Sequence, residues 1–422
     1  MKEKLAVIGT GISGLGAAYF LSKDFDLTVY EKADYIGGHT NTVYVNEDDL
    51  KLPIDTGFIV FNHVTYPNLV RLFNTLNVPT KKSDMSFSVQ YAPTGLEFCG
   101  SGLNELFAQR KNLFKPSYIK MLLQINRFNN QAPKILDDPK YDDWDLGRYM
   151  KAEGYGDDIL NYYLIPMSSA VWSTPPDLML SFPAKTLIRF FYNHGFLGLS
   201  TQHQWWTVDG GSIEYVKRIT KSFQDNIKLN KGVSRVSRES SKVRVTLEDG
   251  SSELFDKVVM ATHGHTSAKL VENPTPLEKE LLPLYRYQKN TATLHTDNSD
   301  MPKIRSIWSS WNYKITKSED GKIHPYTIYW MNRLQNVSKK KDYFLTINDP
   351  SRIKRDHILR EIEYEHPLFS VEASAGQNKL PLLNEEGPIF YAGAYFRYGF
   401  HEDGFLSAVN VAKAILKRDP WI

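Results

Sequence analysis

The chain has 422 residues, of which 41% are hydrophobic and 23% charged, with a formal net charge of +3. That length exceeds one ordinary core and makes two domains the expectation. The near-balanced charge, with no basic block longer than Lys339–Lys341, gives no ground for a nucleic-acid partner, and the single cysteine, Cys99, rules out an intramolecular disulfide or a multi-cysteine metal site. At the start, "MKEK" and the apolar run after it have the outline of a signal peptide. No small-residue cleavage site follows, and the glycines fall at fixed positions, so the run reads as folded structure. No stretch elsewhere is long and apolar enough to span a bilayer, and the one thiol fits a reducing, cytoplasmic setting.

The first elements form a βαβ unit. Leu5–Ile8 reads as a short buried strand. Gly9, Gly11 and Gly14 complete G-x-G-x-x-G, Leu15–Ser22 continue as a helix with a small face, and Leu27–Tyr30 form a second strand ending at Glu31. The glycines serve a tight turn, close backbone approach to a pyrophosphate, and close helix–strand packing. The pyrophosphate would rest on the helix N-terminus, where backbone N–H groups are free. Glu31 lies 22 residues after Gly9, the interval at which an acid accepts from a ribose hydroxyl. Strand, glycines, helix, strand and acid in that order predict dinucleotide binding.

After Glu31 and Lys32 comes a second glycine pair, Gly37-Gly38, followed by His39 and Thr40. This arrangement resembles the FAD-binding fingerprint of the amine oxidase and phytoene desaturase superfamily, which usually has arginine where this chain has His39. Further segments resemble the same superfamily. "IDTGFIVF" (54–61) resembles its stretch beside the flavin ring, and "WWTVDGGSIEYV" (205–216) its Trp and Gly-Gly turn. The hairpin at 227–250 resembles the one whose Val233 backbone meets the adenine. "FDKVVMATH" (255–263) resembles the buried strand ending in Ala261-Thr262, and "IFYAGAYF" (389–396) the last strand before the C-terminal helix. The resemblance implies FAD as cofactor, held by Gly9, Gly11, Ile12, Ser13 and Gly14; by Glu31 and Lys32; by Gly37, Gly38, His39 and Thr40; and by Gly57, Phe58 and Ile59. It adds Val233, Ala261, Thr262 and Gly393, then Phe400 against the ring face, and His401 and Gly404, whose N–H groups would face the pyrimidine ring.

Near the C-terminus, Leu406, Val409, Ala412 and Ile415 recur at helical spacing, which predicts a helix beginning near Gly404. Glu402 and Asp403 suit that N-terminus as capping groups; alternatively this N-terminus faces a ligand. Narrower strings, among them "MSSAVWSTPP" (167–176), "SFPAKTLIRFFYNHGFL" (181–197) and "GFHEDG" (399–404), resemble a family of bacterial FAD-dependent oxidoreductases. That family is related to the flavoprotein-like N-terminal half of plant cyclopropane fatty acid synthases. The resemblance implies chemistry on unsaturated or methylated acyl chains, and a cyclopropane-synthase-like methyltransferase as partner.

The fold expected is α/β: a Rossmann-like FAD-binding domain of the amine oxidase type (1–84, 205–272 and 386–422) with an interleaved α+β substrate domain (85–204 and 273–385). The first insert is largely helical in pattern, and the second has strand-like runs at 290–296 and 326–332. Trp172, Trp205, Trp206, Trp308, Trp311 and Trp330 read singly as core and together as an apolar tunnel; Trp172, Trp311 and Tyr395 are the substrate candidates. His295 and Asp297 share a strand face and read either as an acid–base set with His401 or as a hydrogen-bonded structural pair. No metal motif is present. The segment 108–128 fits a membrane-surface helix or an ordinary amphipathic one. It and 187–199 are the candidates for peripheral contact with the inner face of a membrane.

The expected function is FAD-dependent oxidation, with hydride passing from an apolar, fatty-acyl lipid substrate to the flavin, as in a desaturase. His401 is the candidate proton-transfer residue because imidazole titrates near neutral pH. The alternatives are a flavin-dependent double-bond isomerase of acyl chains, a non-catalytic FAD-holding partner of a methyltransferase, and an amine oxidase. For the last, Lys289 is the nearest candidate for the lysine beside the flavin. Covalent attachment of the flavin through Cys99 is not expected.

Overall fold

The computed structural model describes residues 1–198, 201–318, 320–349 and 351–422. Its first strand, Lys4–Ile8, is almost wholly buried and lies in the middle of a five-stranded parallel sheet. The order is Ile227–Lys228, Asp26–Tyr30, Lys4–Ile8, Lys257–Met260, Ile389–Tyr391. The strands Lys4–Ile8, Lys257–Met260 and Ile389–Tyr391 read as apolar runs without alternation, as strands of a covered parallel sheet do.

The helix after the first strand spans Ile12–Leu21 and so begins earlier than the expected Leu15. Its start is set by close backbone packing. A Cβ on Gly14 would stand 1.9 Å from the Gly9 carbonyl oxygen, and Gly9 itself holds φ +102. One turn on, a Cβ on Gly16 would meet Phe405 and Ala408 at 2.9 Å, so this helix lies directly against the C-terminal one.

That last helix runs His401–Leu416 and begins three residues before the expected Gly404. Asp403 caps it, accepting from the Phe400 N–H at 3.0 Å and the Tyr398 N–H at 3.2 Å. Glu402 caps a different helix. Its carboxylate accepts from the Asn68 N–H, the Leu69 N–H and the Asn68 side-chain amide, at 3.2, 2.9 and 2.6 Å. Asn68 and Leu69 belong to the first turn of the helix Pro67–Thr75, where N–H groups have no intrahelical partner. The acidic pair therefore closes two helix N-termini at one joint.

The expected substrate segments, 85–204 and 273–385, meet in one seven-stranded sheet. Its order is Ile358–Leu368, Arg286–His295, Phe344–Ile347, Ile323–Trp330, Trp311–Lys317, Phe87–Tyr91, Leu96–Cys99. The strand-like runs at 290–296 and 326–332 fall largely in two of these strands. The hairpin predicted over 227–250 is the antiparallel pair Val233–Glu239 and Lys242–Leu247. The segment 108–128 divides into a 3-10 turn, Arg110–Phe114, and a helix, Pro116–Gln131, that buries Tyr118, Met121 and Phe128 on one face. Of 187–199, Leu199 lies outside the described residues.

The joint at Glu402 yields a test. Glu402→Ala leaves the buried Leu69 N–H and the half-buried Asn68 N–H without their acceptor, which costs ~1–3 kcal/mol. Denaturant unfolding should show that loss, with Glu402→Gln recovering part of it.

Candidate active site

One cavity of about 470 Å³ lies between the parallel sheet and the seven-stranded sheet. At one end its floor is backbone: Gly9 to Ser13 from the glycine loop and first helical turn, then Gly38 and Gly393. Gly11 has nothing within 4 Å of where a Cβ would stand, so its backbone faces the cavity bare. Gly38, at φ +59, packs against it, with an added Cβ 3.2 Å from the Gly11 Cα. The other end is apolar, with Val60, Met85, Val171, Trp172, Phe190 and Phe196 followed by Trp205, Trp311, Tyr329, Leu345 and Ile347.

Glu31 lines the backbone end. Its Oε2 accepts from both the N–H and the hydroxyl of Thr10, at 2.8 and 2.6 Å, and its Oε1 from the Ala33 N–H at 2.9 Å. Oε1 keeps a lone pair for a ligand hydroxyl. His39, Gly57, Phe58, Ile59, Ala261, Thr262, Phe400 and His401 also line the cavity. Phe58 stacks on the His401 ring, with centroids 3.8 Å apart and planes 9° apart.

Other expected contacts act at one remove. Thr40 is buried behind the wall, where its hydroxyl meets His401 Nε2 at 3.0 Å and also bonds Tyr215. Gly14 and Gly37 shape the loops; a Cβ on Gly37 would reach 2.4 Å from the Thr40 carbonyl oxygen. Val233 begins its strand outside the cavity.

Several expectations are corrected. Lys32 points to solvent and pairs with Glu248 at 3.0 Å, because the chain turns outward after Glu31. Gly404 is not on the lining. The helix starts at His401, so the Gly404 N–H is spent on the Phe400 carbonyl at 3.0 Å. Its missing Cβ instead admits Ile12, 2.8 Å away. Tyr395 sits in a short 3-10 turn that buries its ring against Tyr285, away from the cavity. Of the tryptophans, Trp172, Trp205 and Trp311 line the cavity. Trp308 and Trp330 pack together elsewhere with Arg305, and Trp206 stacks on His63.

His295 does not join His401. It is buried in the seven-stranded sheet, with Nε2 2.7 Å from the Thr346 hydroxyl, while Asp297 accepts from the N–H groups of Ser299 and Lys354. Lys289 is exposed and off the lining. His401 itself does not titrate near neutrality. Burial pushes its imidazole down to about 3, and its Nε2 is shared between Thr40 and Tyr215, each at 3.0 Å.

The sequence reading left out one wall. Strand Ile358–Leu368 carries Tyr364 and His366 on one face and Glu365 between them, and all three line the cavity. His39 stacks on Tyr364 at 4.9 Å and lies 5.4 Å from His366. His366 Nδ1 meets the Asn290 amide at 2.9 Å. His263, directly after Thr262, bonds Glu365 at 3.0 Å and stacks on Tyr287 at 3.8 Å. That hydrogen bond holds the Glu365 carboxyl below its ordinary range. The period-two pattern of "EYEHP" was the available signal.

Behind the wall, Asp55 is a further node. It accepts from the Ser212 N–H and hydroxyl, the Thr42 hydroxyl and the Gln335 amide, so it ties the start of the helix Ile213–Thr220 to the end of the short helix Met331–Leu334. Burial raises its carboxyl to about 6 against those donors.

Comparison with known proteins follows this geometry. Residues 12–300 match the family described as flavin containing amine oxidoreductase. The chain is 27% identical over 286 residues to an Arabidopsis thaliana protein named "Probable polyamine oxidase 4", covering 64% of this chain and 53% of that one. It is 24% identical over 318 residues to polyamine oxidase 4 of Oryza sativa subsp. japonica, covering 71% and 60%. The chain thus spans little more than half the length of these curated relatives. Cyclohexylamine oxidase from Brevibacterium oxydans IH-35A superposes with a TM-score of 0.72 at 15% identity, over 99% of this chain and 100% of that one. A CLA-producing fatty acid isomerase from P. acnes superposes at 0.66 with 15% identity, over 96% and 97%. At such identities the likeness is one of fold.

The cavity fits FAD on its own features. The glycine loop offers bare backbone and a helix N-terminus to a diphosphate, Glu31 an acceptor to a ribose, and His39 a buried Nε2 with no partner among the described residues.

The buried imidazoles predict acid sensitivity of the FAD-free chain. His194, His295 and His366 are lowered by burial to about 4, His401 to about 3, and His39 falls well below its usual value. Each takes up a proton near its ordinary pKa only when unfolded, so stability present above pH ~6.5 is lost as pH falls toward ~4. Asp55, Glu402 and Asp403, the last raised to about 7, act with the opposite sign, gaining protons in the fold. The five imidazoles outweigh them. The melting midpoint should fall steadily between pH 7 and 4.5; a rising midpoint would contradict this balance.

Proposed function

The chain belongs to the flavin containing amine oxidoreductase family, and on that premise we propose that it oxidises an apolar substrate, a lipid acyl chain, with FAD as its cofactor. Bound flavin supplies the electron sink for removing hydrogen from carbon. The observation that carries the substrate class is the apolar end of the cavity, where Val60, Met85, Trp172, Phe190, Trp311 and Leu345 stand among uncharged neighbours. Among the described residues the only carboxylates on the lining are Glu31, bonded to Thr10 and Ala33, and Glu365, bonded to His263. An ammonium group buried here would lack a free counter-charge, whereas a methylene chain gains from burial of its surface.

The protein's own part is to bind, orient and dry the substrate. Trp172, Phe190 and Phe400 pack as one aromatic face, Phe190 and Phe400 stacked at 4.8 Å. Phe58 and the neutral His401 close the space behind Ile59 and Val60. With Nε2 held by Thr40 and Tyr215, His401 positions hydrogen bonds and does not carry a proton charge at neutral pH.

A membrane surface is the proposed source of such a substrate. Around the helix Pro116–Gln131, Leu113, Phe114 and Leu123 are exposed, Phe114 by 87%, amid exposed Lys111, Lys115 and Lys120. Among the described residues no helix is long and apolar enough to cross a membrane, so any contact through helices would be peripheral. A cyclopropane-synthase-like methyltransferase, acting on the same class of chain, is the partner proposed.

A second reading, amine oxidation, is supported by the names of the two plant relatives. An isomerase is supported by the fold shared with the fatty acid isomerase.

Anaerobic titration separates them. Vesicles with unsaturated acyl chains should bleach the oxidised-flavin band near ~450 nm, and a diamine should leave it unchanged. Bleaching by the amine alone would overturn the lipid reading, and a shifted double bond without net bleaching would establish the isomerase. Val171→Asp, which puts a charge on the apolar wall, should raise KM roughly tenfold or more. Phe114→Glu should weaken sedimentation with anionic vesicles while leaving the flavin spectrum intact.

A further inference from the structure

Among the described residues, the lining of the cavity carries four imidazoles, His39, His263, His366 and His401, and no lysine or arginine. That is an odd balance for a site that takes a diphosphate. The helix Ile12–Leu21 contributes about half a positive charge at its N-terminus, and a diphosphate diester carries about two negative ones. The glycine loop therefore leaves a shortfall of positive charge at the place that His39 borders.

His39 is built into that place. Gly38, just before it, abuts Gly11 of the phosphate loop. The His39 Nε2 is buried and has no hydrogen-bond partner among the described residues. Facing it are His366, Tyr364 and the backbone carbonyl of Glu365 from strand Ile358–Leu368, His263 from the loop after Lys257–Met260, and His401 from the last helix. Behind these, Tyr287 stacks on His263 and Lys289 faces Glu365. His265 lies 5.9 Å from His263, and Glu31 is the other acid on the lining. Of these groups, only the backbone carbonyl of Glu365 favours a charge on His39; the Glu365 carboxylate is bonded to His263. Burial and the imidazole neighbours hold His39 neutral in the chain by itself. An anion brought against the glycine loop reverses that, because opposite charge within a few ångströms favours the protonated ring.

We propose that FAD binds this chain together with a proton: an imidazolium formed in the His39 cluster on binding meets the diphosphate charge, in place of a permanent cation. The proton comes from solvent, and the bare Nε2 of His39 receives it, becoming a donor. No covalent bond changes. The proposal rests on the cofactor and is independent of the substrate class.

The test is calorimetric titration of the full-length, flavin-stripped chain with FAD, in phosphate and in Tris, from pH 6.5 to 8.5. FAD titrates no group of its own in that range, so a buffer-dependent heat counts protons taken by the protein. The expected result is uptake approaching one proton per FAD, with affinity weakening by up to about tenfold per pH unit. His39→Arg, which carries its charge at every pH, should bind with no uptake and a flat pH profile. Equal heats in both buffers with flat wild-type affinity would overturn the proposal and leave the cofactor assignment standing. Failure to bind FAD at any pH would remove both. Neither outcome depends on whether a lipid or an amine is the substrate.

Discussion

A single backbone contact governs this architecture: the carbonyl oxygen of Gly9 stands 1.9 Å from where a Cβ on Gly14 would be. Only a chain without side chains at these points can turn from strand to helix so tightly. Everything around the site depends on that turn. Gly38 can then close on Gly11, and Gly404 can admit Ile12 of the first helix, so the His401–Leu416 helix begins beside the phosphate loop. Two helix N-termini and a second glycine turn converge on one cavity because no side chain holds them apart.

Around that joint, buried acids fix elements and leave the chemistry to others. Asp55 ties a helix N-terminus to Gln335 at the end of the short helix Met331–Leu334, Asp403 closes its own helix, and Glu402 closes Pro67–Thr75. Each spends its lone pairs on N–H or hydroxyl donors, which is how a buried carboxylate is tolerated. The cavity lining carries imidazoles, hydroxyls and apolar rings beside the carboxylates of Glu31 and Glu365, each of which is already hydrogen-bonded within the protein.

What the sequence disclosed follows from where each constraint acts. The dinucleotide loop was legible because a steric requirement appears as glycine at fixed spacing, and Glu31 because its interval from Gly9 is set by one helix and one strand. Helix bounds were less legible. Gly404 looked like a boundary, yet it serves packing against Ile12, and the cap lies at Phe400 and Asp403. Tyr395 was misplaced because a short 3-10 turn reverses the side-chain direction. The wall of Tyr364, Glu365 and His366 could not be placed, since its strand pairs with Arg286–His295 across some seventy residues, and register over such a span has no local signal. The same ignorance of register let His295 seem a neighbour of His401.

The cap that Glu402 places on Asn68 and Leu69 also joins segments far apart in the sequence. The cavity draws its lining from Gly9 to His401, so the glycine loop and that last wall meet only when the tertiary fold is formed. The start of Pro67–Thr75 finds its closing carboxylate in the same event, so local opening of the His401–Leu416 helix would release the cap and the cavity wall together.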